Sequence, residues 1–369
     1  MFNVIFFLPK FSYNGAGNST FRLCKNLNKK KYKISIISLG VNSYKSELQK
    51  IGCKVYELKS KSVLRAMFTI LPLVKKVFYN EKSKKIFISA HHHANVFSIM
   101  FLRSLKDIKI IGIERTDISE LLIFDNLLKY IKNLLIYSLV KIYYKKADLI
   151  ISNSKSGKKD LIKLCKTKVI NIPSPSFTGM YKKKLNKNNN RLRLIAVGRL
   201  VKEKGYETII KALNKLKIKN FSMKILGDGA EKNNLNNMIK TYGLEKKVKL
   251  IGFKSNTKKY YLRSNLFINA SFFEGFPNAV VEAISYGIPV ICSNCKGGTN
   301  EILLNGKGGD LFPVNDSDEL SKKILSFYNN PKKLNKKLML AKKNINIYSI
   351  SSHVKNYEKA FRDLDYRIL

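Results

Sequence analysis

Arg199 and Lys204 lie in the run Gly198-Arg199-Leu200-Val201-Lys202-Glu203-Lys204-Gly205, after an apolar stretch at 192–197 and before an amphipathic one at 206–216. A guanidinium grips two phosphate oxygens through parallel N–H bonds, and an ammonium adds a movable point charge. The flanking glycines permit a tight turn and a close approach by a ligand. Holding a diphosphate is the chemistry this spacing suits. Glu274 and Glu282 bound a second run, Glu274-Gly275-Phe276-Pro277-Asn278-Ala279-Val280-Val281-Glu282. Glu274 falls in a loop. Glu282 falls near the middle of a helix expected to take Asn278 as its cap and to end at Gly287, before Pro289. A helix carboxylate can accept two ribose hydroxyls, and the helix start offers amides and a positive dipole to a diphosphate. Gly227-Asp228-Gly229 follows the stretch 223–226 and can shape a nucleoside pocket on the same edge.

The first half of the chain carries weaker signals. Asn14-Gly15-Ala16-Gly17-Asn18 is a Gly-rich turn ahead of a helix, and Gly15 and Gly17 allow close contact with a diphosphate or sugar. It is not G-x-G-x-x-G, so the dinucleotide fingerprint is absent. His91, His92 and His93 follow the stretch 86–89 and are three of the four histidines. Consecutive side chains at a strand end diverge, which disfavours a three-histidine metal site. One of them facing a ligand as a hydrogen-bond donor is the better reading, with His92 taken as the catalytic candidate and His91 and His93 beside it. Glu114 and Arg115, in Glu114-Arg115-Thr116, stand on the same edge, where they touch a second substrate or simply close a loop as an ion pair.

These residues need a scaffold that delivers them to one sheet edge. Short β-branched or aromatic runs alternate with longer amphipathic ones, the mark of parallel α/β units. Strands are expected at 4–8, 34–39, 55–58, 86–89, 110–113, 149–152 and 169–172. A second set falls at 192–197, 223–226, 248–251, 266–269 and 290–293, with an edge strand at 310–312. Residues 181–191 have almost nothing apolar to bury and read as a linker. The expected domains are therefore 1–180 and 192–345, with a helix over 346–369 packing back on the first. Two doubly wound sheets bind ligands at their C-terminal edges, and the motifs fall just after strands.

The 70 Lys and Arg against 25 Asp and Glu give a net charge of +45. The excess is even: 33 basic against 10 acidic residues up to 180, and 37 against 15 beyond it. Nucleic-acid readers concentrate charge on a face or arm and add a recognisable module. Neither is found, which counts against a nucleic-acid partner; a peripheral protein on an anionic membrane face gains from the same surface. No uncharged apolar run approaches the roughly 18 residues of a membrane span. The stretch 1–8 lacks a basic leader and a cleavage site and reads as a first strand. Five cysteines without a secretion signal fit a reducing cytoplasm. Cys292-x-x-Cys295 has no second pair or His pair to make a zinc site.

Together these motifs resemble family 4 of the glycosyltransferases, retaining enzymes of the GT-B type with two Rossmann-like domains facing across a cleft. The likeness is most specific from Gly198 to Glu301. It includes Gly198-Arg199-Leu200 with Lys204-Gly205, Gly227-Asp228-Gly229, Gly252-Phe253, the E-x7-E pair, Gly287-Ile288-Pro289-Val290, and Gly297-Gly298 with Glu301. The resemblance implies that Arg199 and Lys204 bind the diphosphate of a nucleotide-sugar donor, that Glu274 approaches its sugar, and that Glu282 binds its ribose. Gly198, Gly227, Asp228, Phe253, Gly275, Phe276, Pro277 and Asn278 would line the donor site; Glu114, Arg115, His91 and His93 would face the acceptor. No metal or other cofactor is implied. Many members carry a Gly-Gly pair where this chain has Gly15-Ala16-Gly17. The stretch 112–116 and the helical segment 121–146 look like members that build bacterial surface glycans on lipid carriers, from donors such as UDP-sugars. The segments 64–78 and 121–144 mix apolar residues with lysine or arginine. Each either packs on its sheet or lies on a membrane beside a lipid-linked acceptor. The rival readings are a nucleotide-sugar epimerase of the same fold and a basic nucleic-acid-binding protein.

Overall fold

A computed structural model describes residues 1–79, 82–105, 107–116, 118–122, 124, 126–181 and 191–364. The chain divides into two compact units, one of Met1–Pro175 with the segment from Ile350 onward, the other of Ser176–Ser349.

In the first unit β1 (Phe2–Phe7), β2 (Tyr32–Ser38), β3 (Lys54–Glu57), β4 (Lys84–Ala90), β5 (Ile108–Glu114), β6 (Leu149–Ser152) and β7 (Val169–Asn171) form one parallel sheet in the order β3-β2-β1-β4-β5-β6-β7. Side chains alternate across it. Val4, Phe6, Ile34, Ile36, Ile86 and Ile88 face a core completed by Leu23 and by Tyr357 and Phe361. Ile5, Phe7, Ile37, Phe87 and Ile110 face the other, against Met67, Ile70, Ile99 and Val140. Burial on both faces explains why these strands read as nearly continuous apolar runs.

In the second unit β8 (Leu192–Val197), β9 (Phe221–Leu226), β10 (Val248–Gly252), β11 (Leu266–Asn269), β13 (Val290–Ser293) and β15 (Asp310–Phe312) form a parallel sheet in the order β10-β9-β8-β11-β13-β15. A separate two-stranded ladder joins β12 (Phe273–Glu274) to β14 (Lys296–Gly297). Strand order reverses between β1 and β4 in one sheet and between β8 and β11 in the other. Adjacent loops part there to opposite sides of the sheet, which opens a crevice at the C-terminal edge. The turns holding Gly15 and His91 follow β1 and β4; those holding Lys204 and Glu274 follow β8 and β11.

One expected boundary moves. Phe177 packs in the second unit's core, and Tyr181 donates its N–H to the Ser285 carbonyl and stacks on Tyr286. The chain therefore enters the second unit at 176, ahead of the expected linker, of which 182–190 lie outside the described residues. The helix Pro331–Asn344 belongs to the second unit through Leu334, Leu338 and Ala341, and Ile350–Arg362 joins the first through Tyr357, Ala360 and Phe361.

Candidate active site

The loop after β8 runs through the short turn Lys202–Lys204 to Gly205, whose φ of 61° starts the helix Tyr206–Asn214. A Cβ on Gly205 would run into the Ala270 carbonyl just past β11. This close approach, with the Phe272 N–H donating to the Glu203 carbonyl at 2.8 Å, ties the two loops together. Lys204 Nζ thereby reaches Glu274 Oε1 at 2.6 Å. The same oxygen accepts from Ser271 Oγ at 2.7 Å and from Asn269 Nδ2 at 3.3 Å. Glu274 is buried. Burial pushes its carboxyl up, but the Lys204 ammonium and the bonds from Ser271 and Asn269 outweigh that and hold it below the ordinary 4.5. Three donors thus crowd Oε1, while no described residue donates to Oε2. The result is an ionised carboxylate with one oxygen left for a ligand hydroxyl.

The β12–β14 ladder fixes the backbone of Glu274. At Gly297, φ is 115° and a Cβ would strike the Glu274 carbonyl, so the position admits glycine alone without rearrangement. Gly297→Ala is expected to cost about 2–3 kcal/mol, from strain and lost pairing, in thermal unfolding. Farther along, the half-buried Glu282 accepts from Tyr261 Oη at 3.2 Å. Tyr261 is fully buried and stacks on Tyr286. Its phenol is pushed far up by burial and next by Glu282, so it stays a donor.

In the first unit β4 stops at Ala90, and His91, with φ of 82°, turns the chain into the helix His92–Leu102. His92 Nδ1 lies 2.6 Å from Glu114 Oε2, and its Nε2 lies 3.1 Å from Thr116 Oγ1. Glu114 Oε1 accepts from Asn95 Nδ2 at 2.8 Å and from the Tyr144 hydroxyl. Asn95 Oδ1 in turn accepts from Ser89 Oγ at 2.8 Å. All are buried except Thr116. Burial, then Arg115, depresses His91 to about 4. Burial, then Lys132, does the same for His93. Both rings are neutral near pH 7.

The model of the family described as glycosyl transferases group 1 matches residues 179–344, nearly the whole second unit. An uncharacterized glycosyltransferase of Methanocaldococcus jannaschii is 31% identical over 294 residues, covering 74% of this chain and 72% of that protein. The chain is a glycosyltransferase of this group. A second relative, from Campylobacter jejuni, is an N-acetylgalactosamine-N,N'-diacetylbacillosaminyl-diphospho-undecaprenol 4-alpha-N-acetylgalactosaminyltransferase; it is 33% identical over 190 residues, 49% of this chain and 51% of that one. Among solved structures, HepE of Anabaena in complex with UDP and glucose superposes with a TM-score of 0.79 at 18% identity, covering 98% of this chain and 99% of that one. Sucrose-phosphate synthase of Thermosynechococcus elongatus gives 0.82 at 16% identity, covering 99% of each. At such identities the likeness is one of fold, the GT-B architecture of two doubly wound units.

Within the glycosyltransferase, Lys204 and Glu274 prove to be direct partners, whereas the sequence places one on phosphate and the other on sugar. Arg199 stays largely exposed, 3.5 Å from Glu203. Asp228 is exposed too, accepting from the Gly229 N–H and 3.7 Å from Lys232. Gly227 packs on the Gly198 carbonyl, and Phe253 is exposed past β10. Asn278 is not the helix cap. Its N–H turns back to the Phe276 carbonyl, so Pro277 takes the cap position and Asn278 becomes the first helical residue of Asn278–Ser285, its Oδ1 accepting from Ser176. The helix does end as expected: Gly287, at φ 73°, donates to the Ile284 carbonyl and Ile288 to that of Ala283. Gly15 opens the helix Gly15–Asn26, and Gly17 donates to its cap, Asn14 Oδ1. The histidines do not continue a strand, because the turn at His91 places His92 and His93 in a first helical turn. Glu114 does pair with a histidine, whereas Arg115 Nη2 donates to Thr20 Oγ1. Ser271, Asn269, Asn95 and Tyr144 went unread; only the place of Ser271 and Asn269, just before Glu274, could have marked them.

Proposed function

We propose that the enzyme transfers a hexose or N-acetylhexosamine from a UDP-sugar to a lipid-linked or oligosaccharide acceptor, with retention and without a metal ion. It would serve bacterial surface-glycan synthesis at the cytoplasmic face of the plasma membrane. The observation that carries the reading is the Lys204–Glu274 pair with Glu274 Oε2 left open. As the glycosidic bond breaks, negative charge collects on the leaving diphosphate, where Lys204 and the exposed Arg199 supply preorganised positive charge. Glu274 Oε2 accepts a hydroxyl of the donor sugar, and Glu282, steadied by Tyr261, accepts the ribose hydroxyls. The relatives support the acceptor class: the Campylobacter enzyme is named for a diphospho-undecaprenol substrate, and others are named for colanic acid and lipopolysaccharide core biosynthesis.

The test is a thermal-shift panel of nucleotide sugars followed by product analysis with a polyprenyl-diphosphate sugar acceptor. A donor that binds the native state raises its stability. UDP released only with acceptor, and an α-product from an α-donor, support the reading. Release without acceptor points to an epimerase, and no shift with any UDP-sugar removes the donor assignment. Glu282→Ala is expected to weaken UDP binding by roughly 10-fold or more, the worth of a charged hydrogen bond, with kcat little changed at saturation; calorimetric titration of UDP checks it.

A further inference from the structure

Among the described residues no helix is long and apolar enough to cross a membrane. The helix Leu127–Tyr143 nevertheless has an unusual outer side. It turns Ile136 and Val140 into the first unit's core. Toward solvent it presents Leu128 (83% exposed), Leu135 (60%), Ile131 (55%) and Ile142 (54%). At about 100° per residue these four share an arc of roughly 60°. Exposed Leu127 and Leu134 widen that arc. A solvated helix face is ordinarily polar, and large apolar patches on a surface mark interaction sites.

The charges beside it select the partner. Residues 127–146 contain five lysines and no acid. Lys132 and Lys141 border the apolar arc on its two sides, and Lys145 and Lys146 extend beyond the helix; all four are exposed. A second copy of the chain would set these lysines against one another, and a nucleic acid has no use for the leucines between them. An anionic bilayer meets both features, since apolar side chains enter the acyl boundary while lysines reach the headgroups. The segment 64–78, which reads equally amphipathic in sequence, turns Ala66, Met67, Ile70, Val74 and Phe78 into the core and leaves only Leu64 and Phe68 as large apolar side chains in the open.

We infer that the outer face of Leu127–Tyr143 docks on an anionic phospholipid surface. The inference rests on the acceptor reading in that a lipid-linked acceptor is held at such a surface. The test sediments the full chain with vesicles of phosphatidylcholine alone or with on the order of 30% phosphatidylglycerol, at physiological salt. The parent is expected to pellet with the anionic vesicles. Leu128→Gln/Ile131→Gln/Leu135→Gln, all at exposed positions, should bind about tenfold more weakly with unchanged circular dichroism, and Lys132→Gln/Lys141→Gln should weaken the preference for the anionic lipid. Equal binding by parent and triple variant would assign adsorption to the overall +45 charge and overturn the inference. So would a parent dimer that the triple variant dissolves, or a parent that stays in the supernatant. The assay contains no sugar donor. Transfer to a water-soluble acceptor analogue, measured separately, reports on the proposed activity alone.

Discussion

Lys204→Ala is expected to lower kcat by roughly 10²–10³-fold, the scale of removing one preorganised charge from a developing anion. The substitution also leaves Glu274 buried without its cation, at a cost of about 3 kcal/mol in stability at neutral pH. The two effects separate by pH. In the parent the Glu274 carboxyl is held below 4.5, so the pair's stabilisation is present above 4.5 and is lost as pH falls through the lower folded value. In the variant burial is no longer outweighed by the ammonium, the carboxyl moves up, and protonation relieves the buried charge. The stability gap between parent and variant should therefore narrow as pH drops below neutral, while the loss of kcat persists. Lys204→Ala/Glu274→Gln should recover much of the stability and none of the turnover. Unfolding followed from pH 4 to 8 on the order of whole-unit steps, together with UDP release, checks all three outcomes. Parental turnover in Lys204→Ala would remove Lys204 from the diphosphate.

How Lys204 meets Glu274 shows what the sequence could and could not disclose. Each residue is legible as a motif member because it follows a short apolar strand and has a glycine beside it. The strand order is not local information. β8 and β11 are separated by two strands and their helices, and their adjacency comes from a sheet that winds outward in both directions from one point. The doubly wound alternation is visible as periodicity, so the fold class and the strands of both large sheets could be read. The β12–β14 ladder could not, since two-residue strands carry no period. Side-chain direction is hidden for the same reason. Arg199 and Lys204 look equivalent in sequence, yet the turn at Gly205 sends only Lys204 inward. Asn278 reads as a cap because its type suits one, but the turn it makes with Phe276 is set by Pro277. In the histidine run, a single residue with φ of 82° converts an expected strand end into a helix start.

That helix start also determines the largest stability effect expected in the first unit. Glu114→Ala would remove the acceptor of the buried Tyr144 hydroxyl, one acceptor of Asn95 Nδ2, which keeps the Ile113 carbonyl, and the carboxylate that lies 2.6 Å from His92 Nδ1. Asn95 and Tyr144 have no exposed surface, so water does not replace the lost bonds without opening the core between β5 and the helix His92–Leu102. An unsatisfied buried polar group costs about 1–3 kcal/mol, and truncating a buried side chain adds the cost of the cavity it leaves. For a unit of this size that corresponds to a fall in Tm of roughly 10 °C. Glu114→Gln keeps the Oε1 acceptor for Asn95 and Tyr144 but turns an amide N–H toward His92, and should lose about half as much. His92→Ala in the Glu114→Ala background should then add little, because the partner it would orphan is already gone. Since Glu114, His92, Asn95 and Tyr144 all lie in the first unit, UDP affinity by titration should match the parent in the folded variant. If Glu114→Ala unfolded with the parent, or if His92→Ala and Glu114→Ala added independently, Glu114 would not be the acceptor around which this end of the sheet is organised.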